Sequence, residues 1–222
     1  MHKLSILLCL KGRKKFTKRW LDWMVEEKCP FQIVIADGDA DKSYTKNLIN
    51  DQRYKDLEIV YQEHPEDTDI QAFVKKFNNS LNSIDAEYVI CADNDDFIIV
   101  ENLQKALNYF IDNSKAIDTL ALSHYRFSIN NDSNDINDKI YNKNGTITFQ
   151  ELKPFDYSSF SKLSTFKRLK KSIKEFPSDY FFYSIHKTIN FKKNINVTCT
   201  YPIEYMFFWE RHLTYSIGII GN

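Results

Sequence analysis

No charge of one sign dominates this sequence: its 222 residues carry 30 Lys+Arg and 30 Asp+Glu. So balanced a chain has no global field to draw it to nucleic acid, and none is expected as a partner. Paired cysteines are missing as well. Cys9, Cys29, Cys91 and Cys199 lie far apart, which excludes the close spacings of zinc and redox motifs. Cys9 and Cys91 fall inside apolar runs, so buried free thiols in a reducing compartment are expected. Long apolar runs are absent too. No window holds the roughly 18 uncharged apolar residues of a membrane span, and residues 206–221 are interrupted by Glu210, Arg211 and His212. Leu4 to Leu10 is too short for a secretory signal and lacks a small-residue cleavage site, so a soluble cytoplasmic protein is expected. Glycine is scarce, five in all, and where it occurs a backbone reason is expected.

What charge there is lies in patches. Residues 1–30 hold eight basic side chains against three acidic ones, and residues 162–174 hold six basic with no acid. The densest acidic patch follows Tyr88-Val-Ile-Cys-Ala92, a run with the length and make-up of a buried strand. There Asp93, Asp95 and Asp96 are separated only by Asn94. Packing cannot favour adjacent like charges at a strand end, whereas a hard divalent cation takes carboxylate oxygens together with substrate phosphates. A solvated acidic turn that caps the next helix is the competing reading of the same residues.

The remainder of the chain fits an α/β pattern. Strands are expected at Leu4 to Leu10, at Phe31 to Ala36 and over residues 57–62. Helical spacing links Phe16, Trp20, Trp23 and Met24, and a short helix follows around Ser43 to Asn50. A third helix carries Ile70, Phe73, Val74, Phe77 and Leu81 behind a Thr68 or Asp69 cap. After the acidic cluster, Leu103 to Ile111 predicts a further helix and residues 119–129 a fifth strand. Residues 130–146 are polar and turn-rich and predict an exposed loop or hairpin. Residues 158–176 predict a basic amphipathic helix, residues 180–191 a strand and residues 205–220 a last helix. The chain is expected to form one domain, residues 1–129 as one half and 130–222 as the other.

Three strand ends carry charge or glycine: Lys11-Gly12-Arg13, Asp37-Gly38-Asp39 and Asp93-Asn94-Asp95-Asp96. In a parallel sheet they share one edge, where ligands of open α/β sheets bind. The first suits phosphate oxygens or a base lying against the backbone, the second offers an acceptor for a nucleobase N–H or ribose hydroxyl, and the third suits a metal. Three ordinary surface turns would give the same residues. In this order, and with Asn78-Asn79-Ser80-Leu81-Asn82 and Glu87-Tyr88-Val89 ahead of the cluster, the chain resembles the bacterial family 2 glycosyltransferases of GT-A fold. The resemblance covers residues 4–129 well and the remainder loosely.

That resemblance implies a mostly parallel, Rossmann-like sheet flanked by helices, with a less regular C-terminal third. It implies that Leu10, Lys11, Gly12 and Arg13 line a nucleotide, that Asp37 beside Gly38 takes the base, commonly uracil, and that Asp93 with Asn94 sits near the ribose. Asp95, with Asp93, would hold Mn²⁺ or Mg²⁺ on the diphosphate. Many members have two adjacent acids before the glycine, where Ala36 precedes Asp37 here. The Gln-x-x-Arg-Trp motif and spans of processive synthases are absent, which favours transfer of one sugar from a nucleotide-diphosphate sugar, a UDP-sugar first. A glycan or lipid-linked acceptor in cell-surface polysaccharide or lipopolysaccharide synthesis would receive it. Glu210 in Phe207-Phe208-Trp209-Glu210-Arg211 is the expected catalytic base, with Glu204 the runner-up, and family members usually extend beyond the twelve residues that follow Glu210. Residues 183–188 resemble a strand on the acceptor side, where Lys187 would meet the diphosphate. The basic helix 158–176 is expected either to pack its aromatic stripe on the core or to lie on an anionic membrane, at the inner face. A sugar nucleotidyltransferase usually has a glycine-rich first loop, which Lys11-Gly12-Arg13 matches poorly; a binding domain of the same fold without catalysis is the other alternative.

Overall fold

In the computed structural model, residues 2–115, 117–122, 125–130, 146–151, 163–175, 182–201 and 204–220 are described. The first strand, β1 (Leu4–Leu10), is apolar at all but Ser5 and is covered on both sides. It pairs in parallel with β2 (Gln32–Asp37) and β4 (Tyr88–Ala92), and β2 pairs in parallel with β3 (Ile59–Glu63). Two short strands complete the sheet: β8 (Ile185–Lys187), antiparallel to β4, and β5 (Thr119–Leu120), antiparallel to β8. The strand order is β3-β2-β1-β4-β8-β5.

Alternation along each strand divides the core in two. Leu4, Ile6, Leu8, Leu10, Ile33, Ile35 and Ile90 face α1 (Lys14–Glu26) and α4 (Val100–Asp112), which contribute Trp20, Leu21, Met24, Leu103, Leu107 and Phe110. Leu7, Val34, Ala36, Val89 and Cys91 point the other way, toward Val74, Phe77 and Leu81 of α3 (Ile70–Asn82). Asp69 caps α3, its carboxylate accepting from the Ala72 amide at 2.8 Å. The short helix α2 (Ser43–Ile49) lies between β2 and β3 in the chain. All four cysteines are free, Cys29 and Cys91 buried and Cys9 and Cys199 half-buried.

The structure departs from the sequence reading at two places. Residues 119–129 do not form one strand: after β5 the chain enters β6 (Tyr125–Asn130), which pairs antiparallel with β7 (Thr146–Glu151) in a separate two-stranded sheet. The polar stretch expected as a loop at 130–146 lies almost wholly outside the described residues. Residues 180–191 are not a strand either. Only Ile185–Lys187 is extended, and α6 (Thr188–Thr198) starts at once. Its buried residues Thr188, Phe191, Asn194, Ile195 and Thr198 recur at three and four, the helical period. Aromatic and β-branched residues together give the strand reading here, and tertiary packing overrides that preference. Helix α5 (Thr165–Glu175) falls inside the expected 158–176, and the helix expected at 205–220 is α7 (Met206–Ile220). Among the described residues no helix is long and apolar enough to cross a membrane.

Aromatic rings fasten α6 and α7 to the sheet. Phe77 on α3 lies 5.3 Å from Trp209, 5.4 Å from Phe182 and 6.2 Å from Phe191, centroid to centroid. Edge-to-face geometry prevails, at 75° for Trp209 and 88° for Phe191, the arrangement ring quadrupoles prefer. His186 is buried between β4 and β5, stacked on Phe191 at 4.1 Å, with a ring nitrogen 3.1 Å from the Thr119 hydroxyl. It is a structural histidine that holds the antiparallel edge of the sheet to α6.

Candidate functional site

The register brings the three charged strand ends level. Leu10 stands opposite Asp37, and Leu8 opposite Ala92, so the residues that follow each strand meet on one edge of the sheet. At the end of β1 the chain turns through two successive left-handed residues, Gly12 at φ +64° and Arg13 at φ +55°. Such a conformation is ordinary for glycine and uncommon for arginine. Two contacts hold it: the Gly12 amide donates to Asp39 Oδ2 at 3.0 Å, and the Arg13 guanidinium reaches Asp95 Oδ2 at 2.5 Å. Asn94 is buried, and its amide donates to Thr17 Oγ1 at 3.0 Å. Arg19 lies over Phe16 and Phe97 at 4.6 and 4.7 Å and donates to the Asp95 carbonyl at 3.2 Å. The first and third strand ends are thus one hydrogen-bonded unit, with Asn94 inside it.

Asp37 is wholly buried. Its carboxylate accepts from the Asp39 amide and from the Tyr61 hydroxyl, both at 2.8 Å, and so shapes the turn that presents Asp39. The Gly38 amide donates to the Leu10 carbonyl at 3.0 Å, and the Gly38 carbonyl accepts from the Asp67 amide at 3.0 Å. Beneath this turn lies an ion pair. The buried Lys76 ammonium contacts Asp67 Oδ2 and also donates to the Leu10 carbonyl at 2.8 Å, while Lys11 donates to the Asp67 carbonyl. Asp67 Oδ1 is buried with no hydrogen-bond partner, and a Cβ on Gly38 would stand 2.5 Å from that same carboxylate. Gly38 is required here by space alone.

The third strand end is crowded with negative charge. Burial raises the Asp93 carboxyl above its ordinary pKa and Asp95 adds to this, against the hydrogen bond that the Tyr183 hydroxyl donates to it. Asp96 is exposed as a residue, yet desolvation of its carboxylate against the strand end, then the charges of Asp95 and Asp93, push it up to about 6. Tyr183 is held far above the usual phenol range by burial, by Asp93 next, and then by Asp96 and Glu210, so it remains a donor at any working pH. Glu210, half-buried on α7, therefore lies within electrostatic reach of the group that touches Asp93. Glu204 is exposed ahead of α7. Among the described residues no three His, Cys, Asp or Glu side chains are grouped to hold a metal by themselves.

Lys187 is misplaced in the sequence reading. It pairs with Tyr88, at the start of β4, while Asp93 follows the end of that strand. Its ammonium sits 2.7 Å from Asp118 Oδ1, at the opposite edge of the sheet. Because β8 runs antiparallel to β4, the end of this segment nearest the carboxylates is its beginning, and Tyr183 is the residue delivered there. A shallow cleft among His2, Gln32, Val60, Gln62, Ser83 and Asp85 also lies at the starting ends of the strands, remote from the carboxylates.

No protein-family model matches the sequence, and neither does any curated protein. Solved structures do. TarS 1-349 of S. aureus superposes with a TM-score of 0.57 at 16% identity, covering 99% of this chain and 56% of that one. Its complex with UDP gives 0.58 at 16% identity over the same shares, and its complex with UDP-GlcNAc gives 0.53 at 16% identity, over 86% of this chain and 47% of that one. The fold is of the GT-A type. This GT-A chain spans little more than half the length of TarS 1-349.

Reading the sequence missed Lys76, Asp67 and Tyr183. Lys76 sits at a polar position of an amphipathic helix, where lysine ordinarily meets water, and only its burial distinguishes it. Asp67 is one of several acids after β3, with no spacing to single it out.

Two outcomes are expected. Gly38→Ala fits the backbone but forces the buried Asp67 carboxylate aside, and should cost about 1–3 kcal/mol in urea denaturation. An unchanged midpoint would show that Asp67 yields freely. The second concerns pH. The folded-state pKa of Asp96 is about 6, above the ordinary aspartate value of 3.8, so the folded state takes up that proton first as pH falls. Ionised Asp96 therefore weakens the fold above pH ~6, and protonation removes the penalty toward pH ~4. Asp96→Asn should raise the urea midpoint at pH ~7.5 and leave it unchanged near pH ~4. An equal effect at both values would remove the charge argument.

Proposed function

We propose that this chain is a metal-dependent, inverting glycosyltransferase that moves one sugar from a nucleotide-diphosphate sugar, a UDP-sugar first, to a glycan or lipid-linked acceptor. The observation that carries this reading is the linkage of three strand ends at the carboxyl edge of a GT-A sheet: Gly12 to Asp39, Arg13 to Asp95 and Gly38 to Leu10. TarS, of the same fold, is solved with UDP and with UDP-GlcNAc, which supports a uridine nucleotide. Lys11 and Arg13 supply cationic side chains for diphosphate oxygens beside a turn whose glycine permits close approach. Asp37 shapes the adjoining turn, and Asp39 is the half-buried acceptor beside it.

The donor set at β4 suits a hard cation. Asp93 and Asp96 both have raised pKa values from burial and from neighbouring acids, the strain a divalent ion relieves. Asp93 and Asp95 would hold Mn²⁺ or Mg²⁺, which neutralises charge on a leaving diphosphate. Arg13 balances Asp95 here, and a cation held by Asp95 would release its guanidinium to phosphate oxygens. Tyr183 fixes the Asp93 carboxylate in orientation. Glu210 accepts the proton of the acceptor hydroxyl as its oxygen attacks the anomeric carbon, and the bond from that carbon to the diphosphate breaks on the opposite face.

A second reading, a nucleotide-binding domain without transfer, has one observation in its favour: Arg13 already neutralises Asp95. A thermal-shift series with UDP, GDP and their sugars, with and without Mn²⁺, separates the two. At a hundredfold excess over Kd a ligand stabilises the native state by about 2.7 kcal/mol. A shift that requires Mn²⁺ supports the transferase; one indifferent to Mn²⁺ supports the binding domain.

Asp95→Asn should abolish the Mn²⁺-dependent shift and change the stability of the free protein by no more than about 1 kcal/mol, since the ion pair it breaks is exposed. A loss of several kcal/mol would make the cluster structural. Glu210→Gln keeps the side chain's shape but removes its basicity. It should retain donor affinity while turnover falls by about 10²–10⁴-fold. Lost affinity at unchanged turnover would move Glu210 into the binding shell, and a dead Glu204→Gln variant beside an active Glu210→Gln would identify Glu204 as the base.

A further inference from the structure

Helix α5 leaves in water what a surface helix ordinarily buries. Phe166 is 75% exposed and Ile173 57% exposed, two turns apart on one face. Lys170 is exposed between them on that face, and exposed Lys167 adjoins Phe166. The opposite face is the anchored one. Arg168 is buried there, its guanidinium donating to the Leu163 carbonyl at 3.1 Å and the Thr165 hydroxyl at 3.3 Å. The aromatic stripe expected to pack on the core thus faces outward in part.

The geometry points to α5 as a docking face for an anionic lipid surface. Apolar side chains interleaved with lysines on a short helix of low overall hydrophobicity are the chemistry of an interfacial helix: rings and aliphatic chains enter the acyl boundary while ammonium groups meet headgroup phosphates. The charge is local to this segment. Residues 162–174 carry six basic side chains and no acid, whereas the rest of the chain carries 24 basic against 30 acidic. A second copy of the chain is the poorer occupant, since a two-fold contact across α5 would set the same lysines against one another. Helix α5 packs on α7, which bears Glu210 and exposes Phe208, with exposed Tyr205 just ahead of it. If the proposed transfer holds, docking here brings the base toward an acceptor carried in a membrane.

The test is co-sedimentation of the full chain with phosphatidylcholine vesicles, with and without phosphatidylglycerol. Phe166→Glu replaces the apolar ring by an acid, and the double variant Lys167→Glu/Lys170→Glu leaves the ring and reverses two cations, both at exposed positions. The parent is expected to sediment with phosphatidylglycerol vesicles only and to be released by salt, and each variant to bind about tenfold less or weaker still. The UDP thermal shift of both variants should equal the parent's. No binding to the anionic vesicles, equal binding to neutral ones, or variants that bind like the parent would each overturn the docking face. So would concentration-dependent self-association without lipid that Phe166→Glu abolishes, because the face would then belong to a second copy. Vesicle binding with no nucleotide shift in any protein would sustain the docking face and remove the proposed activity alone.

Discussion

One buried ammonium ties the candidate site to the sheet. Lys76 leaves α3 beneath the carboxyl edge of the strands, pairs with Asp67 and hydrogen-bonds the Leu10 carbonyl, with its side chain 1% exposed and that of Asp67 2%. Removing two charges from water costs several kcal/mol per ion, and their attraction offsets this only if the remaining hydrogen bonds are made. Here most are. Lys76 has the carboxylate and a carbonyl, and Asp67 receives Lys11 on its own carbonyl and gives its amide to Gly38. The consequence is geometric: the end of β1, the turn after β2 and the loop after β3 are fixed to one point, and any side chain at position 38 would have to displace the Asp67 carboxylate. An arrangement so costly to assemble, with Asp67 Oδ1 left unpartnered inside it, gains little as a stabiliser compared with an apolar plug of similar volume. Its effect is to hold three loops in one geometry.

The opposite problem exists one strand away. At the end of β4 acids crowd without a buried cation among them, and the protein meets the charge with partial measures. Arg13 takes one carboxylate at the surface, Arg19 takes a carbonyl, and Tyr183 donates to Asp93. What is left over appears in the raised pKa values of Asp93 and Asp96. Lys76 therefore fixes the frame while the β4 carboxylates hold unspent charge at its rim. A rigid scaffold beside an incompletely neutralised acidic cluster is suited to a cationic or cation-carrying ligand.

The first half of the fold was legible because its strands are buried on both faces. Tyr88 to Ala92 was read with the bounds it has, since a parallel central strand is a short apolar run with polar ends. The three strand ends were legible for the same reason, and β1–β2–β4 register delivers them together. Legibility failed where elements are too short to show a period. Ile185–Lys187 has three residues, and the helix that follows begins with β-branched residues that mimic a strand. The resemblance of residues 183–188 to an acceptor-side strand places Lys187 at the site. Direction in the sheet decides otherwise, and no local pattern reveals that β8 runs antiparallel. Asn94 is a different lesson: it lies in the motif yet turns inward to Thr17, so sequence located the cluster but not the outlook of each member.

The position of Glu210 follows from packing around Phe77. Trp209 is buried against Phe73, Phe77 and Phe182, all on the face of the sheet that α3 covers. Phe182 is next in sequence to Tyr183, whose ring lies 5.0 Å from it at 85°. Burying Trp209 and Phe182 together therefore sets their neighbours, Glu210 and Tyr183, in one electrostatic neighbourhood, with the Tyr183 hydroxyl donating to Asp93. The two side chains come from different elements, α7 and the approach to β8, and one aromatic cluster supports both. Phe77 is the shared contact, and it lies one residue after Lys76. The same turn of α3 thus holds the loops through an ammonium on one side and the segments bearing Tyr183 and Glu210 through a ring on the other, which makes that turn, rather than any strand, the common support of the candidate site.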